Sequence, residues 1–260
     1  MSSTVLTPKP SRKIEMKTEQ EISVMRRAGS VVAGALTMLR QNLSVGMTTQ
    51  NIDDLAMSFL KKNNAKPAFL GYRGFPASIC VSINSEVVHG IPSSKRKILD
   101  GDIVSLDFGC VVDGFYADSA VTVPVGKVSD AALKLIRVTE ESLERGIWAA
   151  TAGNRLGDIG FAVQSHCEEA GFSVVRDFVG HGIGRSLHEE PQVPNYGKKG
   201  AGLRLVPGMV LAIEPMVNAG GHEVRILEDE WTVVTLDGRL SAHFEHTIAI
   251  TSTGPEILTR

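Results

Sequence analysis

Four carboxylates each stand alone inside a run of core-type residues: Asp107 in IVSLDFG, Asp118 in FYADSAV, Glu214 in MVLAIEPM and Glu245 in HFEHTIAI. Acids seldom sit within buried strands unless a cation, a proton or a metal accompanies them. One such residue reads as well as a structural salt bridge; four of them demand a positive centre. Any fold this chain adopts has to bring these distant segments to one place.

The first two acids flank an Asp113-Gly114 turn, and the alternation on either side predicts a β-hairpin with arms near 103–110 and 115–123. With the turn there, either register sets Asp107 and Asp118 on one face, directly or diagonally opposed. Val104, Leu106, Phe108, Val121 and Val123 make the hairpin a core element, which argues against both acids being outward, solvated residues. Two adjacent like charges there are unfavourable without a cation between them. His181, in VGHGIGRSLHEEP, offers an imidazole; the flanking glycines are read as letting the backbone approach closely and leaving the ring exposed on a loop. Four carboxylates and one imidazole, with no thiolate, suit divalent Mn, Fe, Co or Zn, and bridging carboxylates suit two ions about 3.5–4 Å apart. Hydrolysis is the natural chemistry of such a pair.

Helical spacing of apolar residues predicts a helix from a Thr18/Glu21 capping box to about Asn42, a second through Ile52–Leu60, a third capped by Ser129 and a fourth over 156–170 stopped by Gly171. Strands are expected at 78–83, 174–179, 209–214, 231–236 and 243–251. Sliding the sequence on itself by 107 positions puts Leu36 on Leu143, Gly46 on Gly153, Ile52 on Ile159 and Asp107 on Glu214. The matches are few. They nevertheless superpose two carboxylates and predict a pseudo-twofold α+β fold, antiparallel strands inside and helices outside, with the site between the halves.

The 29 acidic and 27 basic residues leave a net charge of -2, which gives no electrostatic reason to expect nucleic acid or an anionic membrane. No stretch matches an uncharged membrane span of about 18 residues. Cys80, Cys110 and Cys167 are far apart and form no CxxC pair, so any metal must be held by oxygen and nitrogen. Residues 1–17 read as a flexible arm, with organelle targeting left open, and residues 18–260 as one catalytic domain with halves at about 18–125 and 126–260.

On these five residues the sequence resembles the type I methionine aminopeptidases from about residue 17 to 258. SLDFG and ADSA carry the two aspartates, GHGIGRSLHEEP two histidines, AIEP and FEHT the glutamates. The resemblance implies the pseudo-twofold pita-bread fold and two divalent ions: Asp107 chelating one, Asp118 and Glu245 bridging, and His181 and Glu214 on the other. It further implies that Glu214 shuttles a proton, that His89 and His188 bind substrate and stabilise the intermediate, and that Tyr72, Phe75, Cys80, His89, Leu187, His188 and Trp231 line a methionine pocket. Leu187 stands where this family is expected to carry an aromatic. The implied substrates are N-termini of nascent polypeptides met at the ribosome, processed by a cytoplasmic monomer when a small residue follows methionine. The competing readings are an X-Pro-specific peptidase and a non-catalytic binding protein on the same scaffold.

Overall fold

The computed structural model describes residues 14–260; most of the expected N-terminal arm lies outside them. Within them, Lys17 is buried, its N–H donates to the Gly208 carbonyl at 2.8 Å, and its ammonium pairs with Glu189.

Four helices form where the sequence periodicity places them: α1 (Glu19–Asn42), α2 (Thr49–Lys62), α3 (Asp130–Ala149) and α4 (Leu156–Glu169). Thr18 with Glu21 closes a capping box on α1, Thr48 with Asn51 closes another on α2, and Ser129 caps α3 through the Ala132 amide. By length and composition α1 also passes as a membrane span. Its apolar face is spent inside the protein, with Met25, Val32 and Leu39 buried, and Ala28 O accepts from the Cys110 thiol.

In the first half the strands are β1 (Lys66–Pro67), β2 (Ile79–Ile83), β3 (Glu86–Val88), β4 (Ile103–Val112) and β5 (Phe115–Pro124). The second half contributes β6 (Ser173–Val174), β7 (Gly180–Gly182), β8 (Glu189–Val193), β9 (Val210–Ile213), β10 (Met216–Asn218), β11 (Val224–Ile226), β12 (Val233–Thr235), β13 (Ser241–His243), β14 (Glu245–Thr251) and β15 (Gly254–Ile257). One antiparallel sheet runs β1-β4-β5-β14-β9-β7-β8, with β2 on β4 and β15 on β14. The two halves meet where β5 pairs with β14, at Ala120 opposite Glu245. The 107-residue offset is realised in the fold: α2 and α4 match at both ends, and the isolated bridge Thr48–Lys97 recurs as Arg155–Arg204. Gly46 and Gly153, at positive φ of 89° and 99°, make corresponding turns after the first helix of each half.

Two expectations need correction. The run 174–179 is not a strand; β6 ends at Val174, and Asp177 and Phe178 instead face a cavity. His181 is not on an exposed loop: it lies within β7, between β8 and β9, and is 7% exposed. The glycines beside it are dictated by backbone proximity. A Cβ on Gly180 would meet the Ala212 carbonyl oxygen at 2.3 Å, and one on Gly182 would meet that of Glu190 at 2.2 Å.

Candidate metal centre and substrate cavity

Strand parity decides which side chains share a face. In the β4–β5 ladder Asp107 lies opposite Ala120 and Asp118 opposite Gly109, so the two aspartates are diagonal neighbours on one face. Ala120 pairs with Glu245, and the register of β14 on β9, with His246 opposite Ile213, sets Glu245 level with Glu214 just past the end of β9. His181 pairs with Ala212, two residues before Glu214. All five predicted residues therefore emerge from one face of adjacent strands. The other face carries Leu106, Phe108, Cys110 and Ile213 against the helices; a Cβ on Gly146 of α3 would sit 3.4 Å from Ile213. Helices thus seal the apolar face and leave the acidic one open to a cavity.

The cluster is tight. Asp118, His181 and Glu245 can each present one ligating atom within 4.8 Å of the others. His181 Nε2 lies 3.6 Å from Asp118 Oδ2 and 3.5 Å from Glu214 Oε1. The ring's Nδ1 is 2.9 Å from the Gly182 carbonyl, which can only accept a hydrogen bond; with the Nδ1 proton directed there, Nε2 is the ring nitrogen that faces the acids and is free to ligate a metal. Thr247 Oγ1 steadies Asp118, 3.0 Å from Oδ1.

Burial, then mutual repulsion, raises Asp107, Glu214 and Glu245 well above the ordinary carboxyl range. Asp118 is also raised by burial, and His181 beside it pulls the other way. Four buried carboxyls that hinder one another's ionisation, with a lone-pair nitrogen among them, form a donor set that fits divalent cations and is unstable as bare anions. Cys80 faces Asp107 across the β2–β4 ladder, and burial, then that carboxylate, pushes its thiol well above the ordinary range.

Above the cluster lies a cavity of about 370 Å³. Its walls include every residue expected there: Tyr72, Phe75, Cys80, His89, Leu187, His188 and Trp231. Phe75 meets Trp231 edge-on at 5.1 Å between ring centres, and Leu187 is buried. His188 stands over His181, ring centres 4.2 Å apart, and its Nδ1 is 2.7 Å from the Tyr72 hydroxyl. His89 has a positive φ of 62°, packs edge-on to Phe178 and Trp231, and is pushed down to about 4 by burial. That backbone strain directs the imidazole into the cavity.

Sequence reasoning missed several contributors besides Asp177. Phe178 and Gln192 line the same cavity. His243, 1% exposed, has its Nε2 3.8 Å from Glu214 Oε2. A histidine in a strand-like run carries no sequence signature that separates core from site.

The description Metallopeptidase family M24 matches residues 23–252. The methionine aminopeptidase of Clostridium acetobutylicum is 53% identical over 246 residues, 95% of this chain and 98% of that protein. Methionine aminopeptidase 1 of Bacillus subtilis is 54% identical over 244 residues, covering 94% and 98%. The crystal structure of the Thermotoga maritima methionine aminopeptidase superposes with a TM-score of 0.94 at 49% identity, over 95% of this chain and 100% of that one. With the matching fold and the acidic face already in place, the chain belongs to metallopeptidase family M24, among the methionine aminopeptidases.

Proposed function

We propose that this chain removes the initiator methionine from nascent proteins when a small residue follows, using two divalent ions held by Asp107, Asp118, His181, Glu214 and Glu245. The observation that carries this reading is the convergence of all five side chains on one sheet face at the floor of a cavity walled in part by Phe75, Leu187 and Trp231. Such ions, when bound, polarise a carbonyl and lower the pKa of water, here supplied as Co, Mn, Fe or Zn.

The chain's own residues do the rest. Asp107, Asp118, His181, Glu214 and Glu245 would together hold the ions, Asp118 and Glu245 coming from the neighbouring central strands β5 and β14. Glu214, whose burial favours its protonated form, takes a proton from water and passes it to the leaving amine. Tyr72 fixes the His188 ring, leaving Nε2 to bond the substrate backbone, while His89 faces the same space. Phe75, Cys80, Leu187 and Trp231 grip the methionine side chain, a polarisable thioether against aromatic and thiol surfaces. A buried Leu187 gives a wider wall than an aromatic would.

In this reading the enzyme is a cytoplasmic monomer that meets polypeptides as they leave the ribosome and binds no nucleic acid directly. The test is cleavage of Met-Ala-Ser against Ala-Pro peptides by the metal-loaded protein. Methionine release from the first is expected; release confined to the X-Pro peptide would overturn the proposal, and activity surviving full demetallation would overturn its metal dependence.

A further inference from the structure

His243 is buried, 1% exposed, and neither its Nδ1 nor its Nε2 makes a hydrogen bond. Its backbone is pinned. The His243 N–H donates to Thr122 Oγ1 at 2.8 Å, and its carbonyl accepts from the same hydroxyl at 2.9 Å. The ring is thereby held with Nε2 3.8 Å from Glu214 Oε2, while the other Glu214 oxygen lies 3.5 Å from His181 Nε2. Glu214 is flanked by two imidazoles of different character. His181 has its Nδ1 on the Gly182 carbonyl and turns Nε2 toward Glu214. His243 has no hydrogen-bond partner on Nδ1, and the Glu214 carboxylate lies 3.8 Å from its unpartnered Nε2.

The pseudo-twofold axis sharpens this. It passes between Ala120 and Glu245, which pair with each other, and it relates Asp107 to Glu214 and Asp118 to His243. Where the first half sets a carboxylate, the second sets an imidazole. A further acid there would add to four mutually repelling carboxyls; a neutral N–H can bond one of them. We propose that His243 is a positioning residue whose Nε2–H holds Glu214 Oε2, fixing which oxygen of that carboxylate is free for metal and proton transfer. Buried groups that orient a metal ligand typically change affinity or activity by about 10- to 100-fold when removed. The inference rests on the metal-ligand and proton-carrier roles proposed for Glu214.

The experiment compares wild type, His243→Leu and His243→Gln as full-length proteins, measuring Co²⁺ binding by calorimetry and kcat and KM on Met-Ala-Ser. His243→Leu is expected to weaken Co²⁺ binding about tenfold and lower kcat by about tenfold or more, with KM within about twofold. His243→Gln, which keeps an N–H donor, is expected to recover most of both losses. Unchanged binding and kcat in His243→Leu would overturn the proposal, as would a glutamine variant as impaired as the leucine one. In the Zn²⁺-loaded wild type, nitrogen-15 NMR of histidine is expected to find His243 protonated at Nε2; protonation at Nδ1 alone would overturn the proposal whether or not the variants fold. A wild type that binds no metal or releases no methionine would instead fail the functional reading beneath it.

Discussion

At the scale of single residues, the site is a problem of burying negative charge. Burial raises the carboxyl groups of Asp107, Asp118, Glu214 and Glu245 above their ordinary range, so protons compete with cations for them. The sign follows directly: lowering the pH protonates the cluster, and affinity falls. At fixed metal concentration, the rise in Tm on adding Co²⁺ is expected to be larger at pH 7.5 than at pH 5.5, measured by thermal melts; an equal or reversed gain would contradict the assignment. Glu214→Gln should cut kcat by about 10²- to 10⁴-fold in steady-state assays. His188→Ala should lower turnover and leave metal content unchanged, because its ring contacts His181 without joining the acids. The isolated acids were legible in sequence because a lone charge in an apolar run has few explanations. The burial of His181 was not: Gly-His-Gly suits a loop and a crowded strand equally, and only the carbonyls of Ala212 and Glu190 select the strand.

At the scale of elements, the first, third and fourth helices were legible almost to the residue, since the Thr18 capping box, the Ser129 cap and the Gly171 stop mark their ends chemically; the second was read from apolar spacing alone, and its Thr48 capping box, ahead of Ile52, went unread. Long strands followed from alternation: in IVSLDFG the apolar partners of Asp107 fall on the helix-covered face. The short strands escaped. β7, β10 and β13 have three residues each, too few for a period, and their pairing is set by partners distant in sequence. The misreading of 174–179 has a related cause, since VVRDFV is rich in β-branched and aromatic residues as strands are, although Asp177 and Phe178 serve the cavity wall. Because β7 is pressed between backbones, Gly182→Ala is expected to cost about 1–3 kcal/mol or more by overpacking, read from urea melts. Gly46→Ala, with open space but a φ of 89°, should cost only the conformational penalty of about 1–2 kcal/mol. A tolerated alanine at Gly182 would show that β7 has room the packing does not suggest.

At the scale of the whole molecule, the two halves meet at the β5–β14 seam, and the five residues straddle it: Asp107 and Asp118 come from one side, His181, Glu214 and Glu245 from the other. A weak repeat in the sequence is therefore a strong one in space, because helix ends and bridge pairs keep an offset that most side chains have lost. Metal held by residues from both sides of that seam would tie the halves together, so chelation should lower Tm as well as abolish activity. The most direct test of the account is anomalous diffraction from crystals of the metal-loaded protein. It should reveal two metal peaks at the seam, with carboxylate oxygens of Asp107, Asp118, Glu214 and Glu245 and His181 Nε2 at about 2.0–2.3 Å. Metal bound elsewhere, or a fully active protein with no metal at these five residues, would contradict it.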